Sequence, residues 1–161
     1  MEIIKISKKE KKNVVGSILY AKSKNQIFYL DIGGPPTKNF SKNYQSGPLS
    51  FEYFVDGVKI ITNCGFGNNI SAKAELISRL TANQSTLTIN DTSITKFERN
   101  KLINRVFGNS IKNTFKTKEL SLKDDKHLVG CTISHNGYEK NFGCIHKLSL
   151  IHISEPTRQS L

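Results

Sequence analysis

Residues Pro48–Gly65 read PLSFEYFVDGVKIITNCG, and this stretch decides the fold class. Leu49, Phe51, Tyr53 and Val55 alternate with Ser50, Glu52 and Phe54, the period-two pattern of a strand with one buried face. Asp56-Gly57 follows, and both positions tolerate the positive φ that a tight two-residue hairpin turn requires. Val58–Thr62 is then the returning strand. A β-hairpin is therefore expected here, and neighbouring segments must supply the rest of its sheet.

Upstream, Val14–Ala21 and Gln26–Ile32 are rich in β-branched and aromatic residues and are joined by the polar stretch Lys22–Asn25. Gly33-Gly34-Pro35-Pro36 ends regular structure and opens a loop that continues to about Gln45. Downstream, Ser71–Thr81 reads as the one helix: Ser71 can cap it, Glu75 and Arg79 stand at i,i+4, and Ala72, Leu76 and Leu80 share a face. STLTIN (Ser85–Asn90) returns to strand alternation. Further strands are expected at Lys101–Phe107, His127–Ser134 and Lys140–His146, with Asn136-Gly137 a hairpin turn. Many short strands with Gly, Asn and Asp turns predict an all-β antiparallel sandwich of supersandwich-like type carrying one short helix.

The net charge of +11 comes mostly from lysine, with 20 Lys against 4 Arg. Such a surface can attract an anionic polymer, whether an acidic polysaccharide or nucleic acid. A/T-rich coding explains the same excess, since Lys, Asn and Ile are all abundant. Apart from Ser7–Lys12 the lysines are dispersed, with no arginine and aromatic stripe of the kind nucleic-acid binders use. Nucleic acid is thus the weaker candidate. No apolar run approaches the ~20 residues that span a bilayer, so no membrane partner is implied. The first residues lack the apolar core of a secretory signal, and the compartment is left open between bacterial periplasm and cytoplasm. Cys64, Cys131 and Cys144 show no CxxC spacing and are expected as core thiols rather than a disulfide framework.

Motifs of chemistry are sparse. Gly65-Phe66-Gly67 is a lone GxG, better read as a turn than as a phosphate cradle. His127 and His135 are expected as ordinary surface or packed residues. Cys144, His146 and His152 stand close together near the end of the chain and raise the question of a metal site. No nucleophile motif is present.

Three segments in fixed order carry a resemblance: DIGGPP (Asp31–Pro36), QSGPLSFEYFVDGVKIITNCG (Gln45–Gly65) and RLTANQSTLTIND (Arg79–Asp91). Together they resemble the C-terminal β domain of the heparinase II/III-like proteins, which join an α-helical toroid to a β-sandwich and include lyases of acidic polysaccharides. Leu49-Ser50-Phe51-Glu52 match the family pattern as they stand. Arg79 and Ser85-Thr86 match its third block, and YEKNFGCIHK (Tyr138–Lys147) looks like the strand that follows.

The resemblance implies a catalytic histidine at Asn43, and zinc ligands at Gln45, Asn63 and Gln84 in the metal-binding members. Here all four positions are amides, which offer neither a general base near neutral pH nor good zinc donors. Neither a catalytic residue nor a bound metal is therefore expected. Asn43, Gln45, Arg79 and Gln84 are expected to contact substrate, since amides pair well with sugar hydroxyls. The Tyr, His and Glu groups of the family's β-elimination come from the toroid, so this chain alone is expected to be an inactive part of an acidic-polysaccharide lyase. The alternative is a non-catalytic module that binds anionic glycan or only supports structure. Residues 1–12 read as a basic leader or linker and 13–147 as an incomplete β-sandwich domain. Leu148–Arg158, LSLIHISEPTR, is similar to one translated frame of a transposase-type sequencing adapter, so 148–161 is expected to be a non-native tail.

Overall fold

The expected hairpin is present in the computed structural model of the chain: β4 (Phe51–Val55) and β5 (Val58–Ile61) pair antiparallel, with Val55 opposite Val58. Asp56 and Gly57 both take positive φ, 48° and 79°, as the two-residue turn requires. The structure describes residues 14–153 apart from 23–24, 101, 103, 105–107 and 126–127. The leader at 1–12 and the end of the chain beyond 153 lie outside the described residues.

Three more strands complete the first sheet. β1 (Val14–Val15), β2 (Ile18–Lys22) and β3 (Gln26–Asp31) give the order β1-β2-β3-β4-β5, antiparallel throughout. The expected strand Val14–Ala21 is thus two strands, folded back at Gly16 (φ 59°) so that Val15 faces Ile18. The second sheet contains β6 (Thr117–Asp125), β7 (Leu128–His135) and β8 (His146–Ile153) in that order.

Alternation places one face of each sheet against the other, which makes the fold a sandwich. Leu19, Leu30 and Leu49 from the first half meet Cys131 and Ile133 of β7, with Phe28, Phe51, Leu148 and Leu150 packed around them. A smaller apolar group holds Ile94, Phe115 and Tyr138, with Tyr44, Ile89 and Phe142 against it.

In chain order α1 (Ala72–Ser78) follows the first sheet, and Ser71 Oγ accepts the Ala74 N–H at 3.0 Å as the capping pattern predicts. In place of a simple turn at Gly65-Phe66-Gly67, Gly65 takes φ 79°, Phe66 is extended and Gly67 opens a 3-10 helix (Gly67–Asn69). Gly67 is required there by close approach, since a Cβ would come within 2.7 Å of the Ala74 carbonyl oxygen.

Three expected strands are corrected. Ser85–Asn90 forms no strand; Ile89 makes an isolated bridge to Thr92, and Asn90 and Asp91 turn the chain with φ of 50° and 51°. Within 101–107 the described residues Leu102 and Asn104 are helical. Lys140–His146 splits into α2 (Glu139–Phe142), the left-handed Gly143 (φ 66°) and the start of β8. Among the described residues no helix is long and apolar enough to cross a membrane. β8 continues through 148–153, so the adapter-like segment supplies strand residues of the second sheet.

Candidate functional site

The three positions at which the family resemblance implies metal ligands come from different elements. Gln45 and Gln84 meet, while Asn63 reaches them through Ser85, next in the chain to Gln84. Gln45 lies in the loop before the hairpin, Asn63 follows β5, and Gln84 follows a 3-10 turn at Thr81–Asn83. Gln84 Nε2 donates to the Ser78 carbonyl at 2.7 Å and to Gln45 Oε1 at 3.4 Å. Asn63 Oδ1 accepts the Ser85 N–H at 2.8 Å and is 3.0 Å from the Ser85 hydroxyl. Ser85 is itself stitched to β4, its Oγ bonded to both the carbonyl and the N–H of Phe51. The 84–85 segment is thus held against the hairpin by side-chain amides and a hydroxyl.

A zinc ion does not fit this donor set. Gln45 Oε1 and Asn63 Oδ1 are already engaged as acceptors, and neutral amide oxygens compete poorly with imidazole, thiolate and carboxylate for zinc. Among the described residues no group of three His, Cys, Asp or Glu side chains is placed to hold a metal. Cys144 and Cys64 are exposed free thiols and only Cys131 is buried, which corrects the expectation that all three sit in the core.

The other two expected substrate contacts part company. Asn43 is exposed on the loop leading to Gln45. Arg79 has 0% exposure, and two of its guanidinium nitrogens donate to main-chain carbonyls: Nε to Tyr44 (2.8 Å), and one terminal nitrogen to Ser41 and Asn109 (both 2.9 Å). The other terminal nitrogen has no hydrogen-bond partner among the described residues. It also lies 4.3 Å over the Phe97 ring, a cation–π contact. A buried guanidinium with this set of partners fixes the 41–46 loop from beneath, which positions Asn43 and Gln45.

A family model described as "Heparinase II/III-like, C-terminal" matches residues 16–158. The chain belongs to the heparinase II/III-like family. Two solved structures share its fold, both heparan sulfate lyase HepC from Pedobacter heparinus. The mutant form is 19% identical with a TM-score of 0.59 over 85% of this chain, and the other is 17% identical with 0.54 over 89%. The chain spans only 19% and 21% of those two chains. No curated protein matches it.

The heparinase II/III-like domain also carries ionisable groups that the sequence reading passed over. Asp31 ends β3, and burial raises its carboxyl to about 6, with the 2.8 Å hydrogen bond from the Gly33 N–H acting in the opposite direction. Tyr44 has a buried hydroxyl without a partner among the described residues. Burial, together with the charge of Asp31, pushes it above its ordinary range.

His135, fully buried at the end of β7, stands 3.0 Å through Nε2 from Nδ1 of His146 on β8. Burial, with a smaller contribution from His146, lowers His135 to about 4. Burial also lowers His146. The signal for this pair was the antiparallel register, in which His135 faces His146 directly. His146 lines an open groove of about 440 Å³ with Leu49, Phe51, Gln84, Ser85 and Thr86.

Proposed function

We propose that this chain is the glycan-facing β domain of a polysaccharide lyase that acts by β-elimination on acidic, uronate-containing chains, and that the domain alone performs no turnover. The observation that carries the reading is the amide set at Gln45, Asn63 and Gln84, held together where the family places ionisable groups. β-Elimination requires a base for the proton α to the carboxylate. It also requires an acid for the departing β oxygen, and neutralisation of the carboxylate charge. An amide supplies none of the proton transfers near neutral pH, so those steps fall to groups outside this chain, in the toroid that accompanies such domains. What the chain supplies is binding: the exposed Asn43, the amides of Gln45 and Gln84 for hydroxyls, Arg79 holding their loop, and a net charge of +11 that favours a polyanion. The fold shared with heparan sulfate lyase HepC makes a heparan-sulfate-like chain the first substrate to try.

The experiment is to incubate the purified chain with a panel of uronate polysaccharides and follow the ultraviolet absorbance of the unsaturated product. No absorbance, with salt-sensitive retention of the chain on the acidic glycan, is the expected result. Clear turnover overturns the inactive reading. A second reading is a non-catalytic module, favoured by the fact that all the amide oxygens at the ligand positions of Gln45 and Asn63 already have partners within the domain. It predicts a joined toroid lacking its own Tyr, His and Glu set. Retention on DNA and not on acidic glycan would instead point to nucleic acid.

A further inference from the structure

The groove beside the amide set carries a feature that glycan binding through Asn43 and Gln45 does not use. Its apolar lining residues are Leu49, Phe51, Ile61, Leu87 and Leu148. Its polar lining residues are Gln84, Ser85, Thr86 and His146. Each of these four polar side chains is neutral or, for the imidazole, held neutral by its surroundings. No lysine, arginine or carboxylate is among the lining residues, although the chain as a whole is strongly basic.

The protonation pattern of the two histidines follows from hydrogen bonds alone. The Gly137 N–H donates to His135 Nδ1 at 3.0 Å, so that nitrogen is the acceptor and the proton of the neutral ring sits on Nε2. His135 Nε2–H then donates to His146 Nδ1, 3.0 Å away. His146 Nδ1 is therefore also an acceptor, and the proton of its ring is on Nε2. Charging either ring would place a second proton between two nitrogens that already share one, or against the Gly137 N–H. Phe115 and Tyr138 flank His135 with ring centroids 5.6 and 6.0 Å away, and these neighbours bring no carboxylate to stabilise an imidazolium. Burial lowers the pKa of both rings, in agreement with this reading. The main-chain donor at Gly137 is fixed by packing, since a Cβ there would lie 2.5 Å from Ile94 Cγ2. His146 Nε2–H has no hydrogen-bond partner among the described residues, and His146 lines the groove.

We infer that this groove is a subsite for an uncharged pyranose unit, in which His146 Nε2–H, oriented through His135 and Gly137, donates to a sugar hydroxyl while the apolar lining takes the ring's C–H face. A fixed neutral donor beside amide and hydroxyl groups suits oxygen atoms that both accept and donate. A carboxylate or sulfate would have to shed water there without a cation to compensate. The subsite rests on the reading of the domain as glycan-facing and adds to it a place for a sugar that carries no charge.

The test uses the whole 161-residue chain and a neutral probe, methyl β-glucopyranoside, followed by NMR of the histidine ring nitrogens and the Gln84 side-chain amide. The expected result is an Nε2–H tautomer for both rings, and saturable shifts of His146 and Gln84 that do not change up to about 0.5 M salt. His146→Phe keeps the ring's bulk and should weaken binding roughly tenfold, the effect of one lost hydrogen bond with its desolvated partner. His146→Gln, which keeps an N–H donor, should recover part of it. Absence of shifts up to about 100 mM probe overturns the subsite. Equal binding by His146→Phe overturns the donor role. Shifts with an acidic oligosaccharide only, lost in salt, overturn the neutral subsite while leaving the acidic-glycan reading standing. A neutral probe that binds without any retention on acidic glycan does the reverse.

Discussion

Gln84 Nε2 donates to Gln45 Oε1 across 3.4 Å, joining two side chains 39 residues apart at positions where the sequence resemblance implies metal ligands. The contact brings two of the three implied ligand positions together with amides in place of ionisable donors. Side chains so close could share an ion if they carried the right donors. Asn63, bonded to the neighbouring Ser85, is the third position.

The first prediction is a rebuilt zinc site. The triple variant Gln45→His, Asn63→Asp, Gln84→His should acquire two imidazoles and a carboxylate, a sufficient set with water as fourth ligand. Zinc at about 100 times its dissociation constant should then stabilise the variant by roughly 2.7 kcal/mol. Thermal unfolding with zinc and with chelator reads this directly. The unaltered chain should melt at the same temperature in both, and a zinc-dependent rise in it would contradict the account of the donor set.

Arg79 gives a prediction about stability. Replacing it by Met removes the donors to the carbonyls of Ser41, Tyr44 and Asn109 and the contact with Phe97. Buried acceptors stripped of their donors should cost about 3–5 kcal/mol, measured by urea unfolding. Arg79→Lys should recover only a minor part, because one ammonium cannot reproduce the planar fork. If Arg79→Met is as stable as the parent but has lost retention on acidic glycan, the arginine acts on substrate and not on the loop.

Asp31 and His135 give opposing pH dependences. His135 titrates near 4 when folded and near 6.5 when unfolded, so the unfolded chain binds the extra proton between those values. Its contribution therefore falls as pH drops from 6.5 to 4, by roughly 3 kcal/mol. Asp31 titrates near 6 when folded and 3.8 when unfolded, so there the folded chain holds the proton, and its contribution falls as pH rises from 3.8 to 6, again by roughly 3 kcal/mol. In the parent the two slopes largely cancel between pH 4 and 6. Asp31→Asn, which can still accept the Gly33 N–H, should be more stable at pH 7 and should lose stability steeply on acidification. Urea midpoints across this range test it, and an unchanged flat profile for Asp31→Asn would remove the premise.

Much of the architecture was legible where local chemistry and packing agree. Asp56-Gly57 allows one kind of turn, and Ser71 starts a helix whichever tertiary contacts follow. The misreadings fall where side chains override periodicity. Thr86 and Thr88 alternate with Leu87 and Ile89 like strand residues, yet Ser85 bonds the main chain of Phe51 and Thr86 Oγ1 donates to the Pro48 carbonyl, so the segment is held as a loop. Gly143 was a usable sign that Lys140–His146 begins as the end of a helix, because a left-handed glycine is a common helix terminator. The amide set was found through family resemblance. The His135–His146 pair was not, because two histidines separated by a helical turn meet only through the β7–β8 register.

The last prediction concerns β8. Ile133 lies opposite Leu148 and Cys131 opposite Leu150, with both partners on β7 buried in the main core. Replacing Leu148 and Leu150 together by Ser should therefore cost about 3 kcal/mol, while Lys147→Ala, on the exposed face, should stay within about 0.5 kcal/mol. Equal effects in urea unfolding would mean that β8 is not seated on the core. The same geometry explains how a segment resembling an adapter translation can occupy the strand. β7 offers an edge of unpaired main-chain groups, and any segment with apolar residues at alternate positions satisfies both that edge and the core beneath it. Leu148-Ser149-Leu150 has this alternation whatever its coding origin. The adapter reading accordingly predicts that the uninterrupted genomic frame encodes a different sequence after Lys147, again with apolar residues at the two inward positions. Finding the present codons in the genome would make 148–158 native, and the core contacts of Leu148 and Leu150 would then be selected ones.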